Sequence, residues 1–244
     1  MRNILLEIAY FGGVFYGFQR QKEHQTVQGL LEHTLSEITG EKIMVVGAGR
    51  TDRGVHAFAQ ICNFYTASEL PAEKIRDALN ALLPQELRVN RAEEVPLDFH
   101  ARKKSRGKIY TYLVWNGDVM SPFLLNFAYY YPYLLDLAKM RKALEQLSGE
   151  QDFRSFAKVG VYKRGTKRTL YRAAIVDDKP LLIFILAGSG FLQHMARIIV
   201  GTILEIGRGK IEPNQIQSIL QEASRSAAGP TAPSCGLYLV SVIY

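Results

Sequence analysis

At 244 residues, 48% apolar and 22% charged, the chain has the composition of an ordinary globular protein with enough material for a sizeable core. Its net charge of +7 favours an anionic partner, and nucleic acid is a better one than membrane because no apolar run approaches the roughly 18–20 residues of a span. Two cysteines, Cys62 and Cys235, and scattered histidines make neither a disulfide framework nor a zinc site. The apolar run Ile4-Leu5-Leu6 is too short for a signal peptide, so the expectation is a cytoplasmic, metal-free protein.

Residues 3–10 are apolar enough for a strand, and a glycine-aromatic loop follows at 11–19. Thr26 is placed to cap a helix with Val27, Leu30, Leu31, Leu35 and Ile38 on one face, and Gly40 ends it. Apolar strands are predicted at 43–46 and 58–64, on either side of a glycine-rich loop. Pro71 opens a second helix bearing Ile75, Ala78, Leu79 and Leu82, Pro84 closes it, and 87–95 reads as a strand. The order so far is β-α-β-β-α-β.

A basic connector at 99–108, with Arg102, Lys103, Lys104, Arg106 and Lys108, is the predicted boundary between halves at 1–105 and 106–244. Beyond it, residues 108–115 alternate as a strand with Tyr110, Tyr112 and Val114 on one face. Asp136 caps a helix carrying Leu137, Met140, Leu144 and Leu147. Strands at 168–176 and 181–187 come next, then a helix at 191–206, a short one at 214–222 and a closing strand at 237–243. The second half therefore repeats β-α-β-β-α-β with one helix added. That order is the ferredoxin-like unit, so the fold class expected is α+β, with two antiparallel sheets that could join and leave a cleft across the strands.

The loop between the strands of the first half reads GAGRTDRGVHA at 47–57. Glycine permits unusual backbone angles and close approach of a partner, and one carboxylate, Asp52, sits between Arg50 and Arg53. This string resembles the GxGRTDxGVHA signature of the tRNA pseudouridine synthase A family. Further matches lie in order along nearly the whole chain: YFG…FYGFQRQ…TVQ at 10–28, FHAR at 99–102 with KIYTY at 108–112, FLQHMARIIVG at 191–201, and APSCGLYL at 232–239. Arg53 and Ala196 depart from the usual alanine and valine.

The resemblance implies the pseudouridine synthase fold and conversion of uridine in tRNA to pseudouridine. It makes Asp52 the catalytic nucleophile or initiating base, between which the sequence leaves the choice open. No metal, redox or nucleotide cofactor is implied. Glycosidases of the common kind use two carboxylates; a single one suits a reaction in which the base is retained and not replaced by water. Tyr110 matches the family's substrate-contacting tyrosine, able to stack on a flipped uracil. Arg50 and Arg197 are the cations expected to keep Asp52 ionised and to meet the substrate.

No acidic residue lies between Asp152 and Asp177, where Lys158, Lys163, Arg164, Lys167, Arg168 and Arg172 interleave with Tyr162 and Tyr171. With the connector and Arg53, this run is expected to contact RNA phosphates. Family membership implies uridines at tRNA positions 38 to 40, in the anticodon arm, and a homodimer in which one tRNA touches both subunits. The rival from another class is a non-catalytic RNA-binding module on the same fold, which would have no reason to retain Asp52 with its arginines. An aspartyl-nucleophile hydrolase would lack a metal-ligand cluster and leave the basic runs unexplained.

Overall fold

In a computed structural model of the chain, which describes residues 1–160 and 165–244, β1 (Arg2–Tyr10) is the central strand of a first unit. It is followed by α1 (Val27–Thr39), β2 (Val46–Gly47), β3 (His56–Thr66), α2 (Ala72–Leu82) and β4 (Leu87–Val95). β1 pairs antiparallel with β3 on one side and β4 on the other, and β2 lies antiparallel along the far edge of β3. The order β4-β1-β3-β2 with two helices is the ferredoxin-like arrangement expected from the element sequence. α1 begins where its sequence predicts: the Gly29 N–H donates to Thr26 Oγ1 (3.2 Å), and Gly40 takes the left-handed C-cap at φ +71°. Ile4, Leu6 and Ile8 are fully buried, as are Leu31 and Leu35 of α1 and Ile75 and Leu79 of α2, each side chain worth about 1.5–3 kcal/mol on burial. A smaller cluster of Leu5, Ile61, Ala48 and Ala101, with Phe99 and Tyr244 against it, is packed separately.

Of the apolar run at 43–46, only Val46 becomes strand, together with its neighbour Gly47. Side chains from α1 take the backbone groups just before them: the Val45 N–H donates to Glu32 Oε1 and the Val45 carbonyl accepts from Gln28 Nε2, both at 3.0 Å.

A second unit, Gly107–Leu237, contains β5 (Gly107–Trp115), β6 (Tyr129–Tyr130), α3 (Leu137–Glu145), β7 (Gly149–Asp152), β8 (Lys167–Asp178), β9 (Leu181–Gly188), α4 (Met195–Gly207) and α5 (Gln215–Glu222). β5, β9, β8 and β7 pair antiparallel in that order, and β6 adds in parallel to β5. Asp136 caps α3, accepting from the Lys139 N–H at 3.0 Å. β6 and β7 are too short to announce themselves by alternation.

α4 starts four residues later than its sequence pattern suggests, because His194 adopts φ +66° and breaks the helix at Met195. It is also buried nearly all round and not along one stripe, with Ile198, Ile199, Val200 and Ile203 inaccessible. β10 (Leu237–Ile243) belongs from Tyr238 onward to the first unit, which comprises Met1–Arg106 and Tyr238–Tyr244. Tyr238 and Leu239 pair in parallel with His56 and Ala57, and the Arg106 N–H donates to the Ile243 carbonyl at 2.8 Å. Sequence order alone places this strand in the second half. Among the described residues, no helix is long and apolar enough to cross a membrane.

Candidate active site

The 47–57 loop is built in the first unit by contacts from both sides. Below Asp52, the buried Thr51 Oγ1 and Tyr10 hydroxyl share a hydrogen bond of 2.9 Å, tying the loop to the end of β1. The Phe18 N–H donates to the Thr51 carbonyl (3.1 Å), and the Val55 N–H closes a turn onto the Asp52 carbonyl (3.2 Å). Gln60, fully buried on β3, donates from Nε2 to the Gly49 carbonyl (3.1 Å).

The glycines of the 10–28 motif act through close approach. A Cβ on Gly17, which sits at φ +86°, would stand 2.6 Å from the Thr51 carbonyl oxygen and 3.2 Å from Asp52 C. One on Gly12 would stand 2.1 Å from the Val55 carbonyl oxygen. Only glycine lets the N-terminal loop and the Asp52 loop lie backbone to backbone. The Gly12 N–H also donates to His56 Nδ1 (3.1 Å), and the His56 ring stacks on Tyr238 at 4.7 Å. Tyr10, Thr51, His56 and Tyr238 carry no sequence signal of their own, because their contacts join distant segments.

Asp52 is half-buried, whereas Arg50 and Arg53 are exposed. Among the described residues, Arg50 makes no ion pair with Asp52. It lines, with Arg102, Phe18, Gln28 and Gly47, a recess of about 150 Å³. Arg102 reaches it from the FHAR segment, which a buried polar chain moors. Asn63 Oδ1 accepts from the Ala101 N–H (2.9 Å), Asn63 Nδ2 donates to Asn3 Oδ1 (2.9 Å), and the Tyr244 hydroxyl donates to the Ala101 carbonyl (2.8 Å). Two cations beside an amide and a glycine backbone form a small anion-accepting corner.

Arg53 lies with its guanidinium carbon 4.0 Å above the Tyr16 ring, whose other neighbour is the His24 ring, stacked at 3.9 Å and 10°. It is thus turned onto the N-terminal loop. Of the connector residues, Lys103 is exposed, Lys104 pairs with Asp98 at 2.7 Å, and Arg106 donates to the Tyr244 carbonyl. The Lys104 ammonium holds the exposed Asp98 carboxyl below the usual carboxylate range.

In the second unit, Tyr110 on β5 is 6% exposed, and its ring meets Phe191 edge to face at 4.9 Å. Tyr112, two residues on, is a core residue with its hydroxyl donating to the Pro233 carbonyl (2.7 Å). Arg197 on α4 donates from Nε to the Ala232 carbonyl (2.7 Å), and the Ala232 N–H returns a bond to the Arg197 carbonyl. One turn on, Gly201 leaves room for the Pro230 carbonyl oxygen, which a Cβ would meet at 1.9 Å. The 191–201 and 232–239 motifs are therefore one assembly that holds Arg197.

Lys167 is exposed on β8, while Arg168 is partly buried. The Arg168 guanidinium donates to the carbonyls of Gly165 and Lys167, and burial lowers its pKa. Lys163 and Arg164 lie outside the described residues. Among the described residues, no group of three or more His, Cys, Asp or Glu side chains is placed to hold a metal ion.

A family profile described as tRNA pseudouridine synthase matches residues 8–102 and 143–244, which include the Asp52 loop, the Arg197 helix and the C-terminal motif. Curated relatives named tRNA pseudouridine synthase A align over the full chain. The protein of Caldicellulosiruptor bescii is 44% identical over 244 residues, covering 100% of both chains. That of Anoxybacillus flavithermus is 45% identical, covering 100% of this chain and 99% of its own. That of Acetivibrio thermocellus is 41% identical, again with both chains fully covered. With its α+β units and its assembled sequence motifs, the chain has the pseudouridine synthase fold and belongs to the tRNA pseudouridine synthase family of isomerases.

Proposed function

We propose that the chain isomerises uridine to pseudouridine in the anticodon arm of tRNA, at positions 38 to 40, with Asp52 as the catalytic carboxylate. The reading is carried by one observation: the backbone that bears the loop's single carboxylate is tied down by a buried Thr51–Tyr10 bond and packed against Gly17. A half-buried carboxylate on a braced loop is what a reaction at a sugar–base bond uses, because the position of its backbone is set before the substrate arrives.

The reaction is an isomerisation and balances without a co-reactant. The bond from C1′ to N1 of uracil breaks, the base turns, and C5 bonds to C1′. The proton then lost from C5 is matched by one gained at N1. Asp52 engages the sugar as nucleophile or takes a proton as base. The Tyr110 ring stacks on the extruded uracil, and Arg50 and Arg197 meet the target nucleotide. Arg53, Arg102, Lys103, Lys104, Arg106, Lys163, Arg164, Lys167 and Arg168 carry backbone phosphates. The enzyme acts in the cytoplasm as a homodimer, each tRNA touching both subunits.

The test is pseudouridine mapping by reverse transcription on a tRNA transcript incubated with purified protein. After carbodiimide derivatisation of the RNA, the expected result is stops within positions 38–40 for the wild type, none for Asp52→Ala, and tRNA binding retained by that variant. Pseudouridine formed by pure Asp52→Ala protein would remove Asp52 from catalysis, and a tRNA left unmodified by the wild type would leave only an RNA-binding module.

A further inference from the structure

One basic recess lies outside the residues assigned above. Within the second unit, an open groove of about 770 Å³ lies between the short turn Arg154–Phe156 and the segment 223–230. Arg154 and Arg225 line it, with Ser224, Ser226, Val159 and Pro230, and no acidic residue does so among the described residues. Arg225 is half-buried. Its guanidinium donates to the Ala228 carbonyl (3.2 Å) and to Thr231 Oγ1 (3.1 Å), both neutral acceptors, and no carboxylate pairs with it among the described residues. Burial pulls its pKa below the ordinary value. Two bonds leave this guanidinium with N–H donors to spare for an anion.

The walls are held independently of any ligand. Ala223 ends α5 at φ +51°, the Gly229 N–H donates to Thr202 Oγ1 on α4 (2.9 Å), and Ser155 Oγ donates to the Ile219 carbonyl (2.6 Å). The turn bearing Arg154 follows directly on β7, where Asp152 pairs in register with Lys167 and Gln151 with Arg168. The recess therefore continues the cationic strand β8. Its volume falls in the range that holds a small organic molecule. Its mixed lining, apolar with two forked cations, suits a nucleotide better than a bare ion.

We propose that this recess binds a nucleotide of the substrate RNA, its phosphodiester on Arg154 and Arg225 and its sugar or base against Val159 and Pro230. The inference rests on the proposed tRNA substrate but concerns a contact other than the reacting uridine, and binding reads it without turnover. The salt dependence of tRNA affinity is measured for the wild type, Arg154→Ala and the opposed pair Ser226→Glu and Ser226→Lys. Lys74→Ala, on the exposed face of α2, matches the charge change of Arg154→Ala elsewhere on the protein.

Loss of one phosphate contact flattens the slope of log K against log salt by about 0.7–0.9. That is the result expected for Arg154→Ala; Ser226→Glu also flattens it, Ser226→Lys steepens it, and Lys74→Ala leaves it unchanged. Ser226 is exposed and, among the described residues, its hydroxyl bonds only Ser224, so both its variants keep the scaffold. Equal slopes for Ser226→Glu and Ser226→Lys would overturn the proposal. So would a recess that takes free phosphate only: inorganic phosphate raising the Tm of the wild type more than that of Ser226→Glu while tRNA slopes coincide. A wild type that binds tRNA with the expected slopes but forms no pseudouridine would instead sink the catalytic reading and leave this one standing.

Discussion

Gly17 and Thr51 lie so close that a single added carbon on Gly17 would reach within 2.6 Å of the Thr51 carbonyl oxygen. That oxygen is backbone and already accepts from the Phe18 N–H, so it cannot swing aside. Gly17→Ala must therefore move the loop that carries Asp52, and at φ +86° it is strained as well. The expected outcome is a loss of roughly 1–3 kcal/mol of stability together with a fall in kcat, read by thermal unfolding and by turnover. Wild-type kcat in a folded Gly17→Ala protein would show that the close approach does not position Asp52.

Arg53 replaces the alanine usual in the family, and it stacks on Tyr16 at 4.0 Å. An exposed cation–π contact is worth about 0.5–1 kcal/mol. Arg53→Ala is expected to lose that much stability and to raise KM for tRNA, with kcat within a few-fold of wild type. A hundredfold fall in kcat would mean that Arg53 tunes the aspartate.

Tyr110 separates into a ring and a hydroxyl. If Tyr110 stacks on the uracil as proposed, Tyr110→Ala removes a surface worth about 1–3 kcal/mol per base, and kcat/KM is expected to fall by at least that amount. Tyr110→Phe keeps the ring packed edge to face on Phe191. If the hydroxyl moves the proton from C5, kcat of the Phe variant drops ~10²–10⁴-fold. Full activity of Tyr110→Phe would confine the residue to stacking.

Lys167 and Arg168 differ in setting, one exposed and the other partly buried and bonded to two carbonyls. Each substitution by alanine is expected to flatten the salt slope of tRNA binding by about 0.7–0.9. Unchanged slopes for both variants would make β8 an ordinary solvated strand.

What could be read from the sequence follows from how local each signal is. Thr26, Gly40, Asp136 and Pro84 mark helix ends through contacts within a few residues, and those ends stand as read. β2 is shorter than its apolar run because Glu32 and Gln28, far upstream, take the Val45 backbone groups. α4 begins late because His194 adopts a left-handed conformation that helical periodicity does not register. The Asp52 loop was readable as a motif. Its support was not, since the Thr51–Tyr10, Gly17–Thr51 and Gly12–His56 contacts each join segments more than thirty residues apart. The basic recess at Arg154 and Arg225 escaped for the same reason.

The first unit is discontinuous in the chain, and that has a consequence for biosynthesis. Met1–Arg106 leaves the ribosome well before Tyr238–Tyr244, with all of Gly107–Leu237 made in between. Until then His56 lacks the Tyr238 ring, Arg106 lacks the Ile243 carbonyl and Ala101 lacks the Tyr244 hydroxyl. Domains generally fold as they emerge, N-terminal first. Here the segment bearing Asp52 emerges early, yet its unit is completed only when the strand that follows Leu237 arrives, so the Asp52 loop gains its last supporting contacts after the whole second unit has been made.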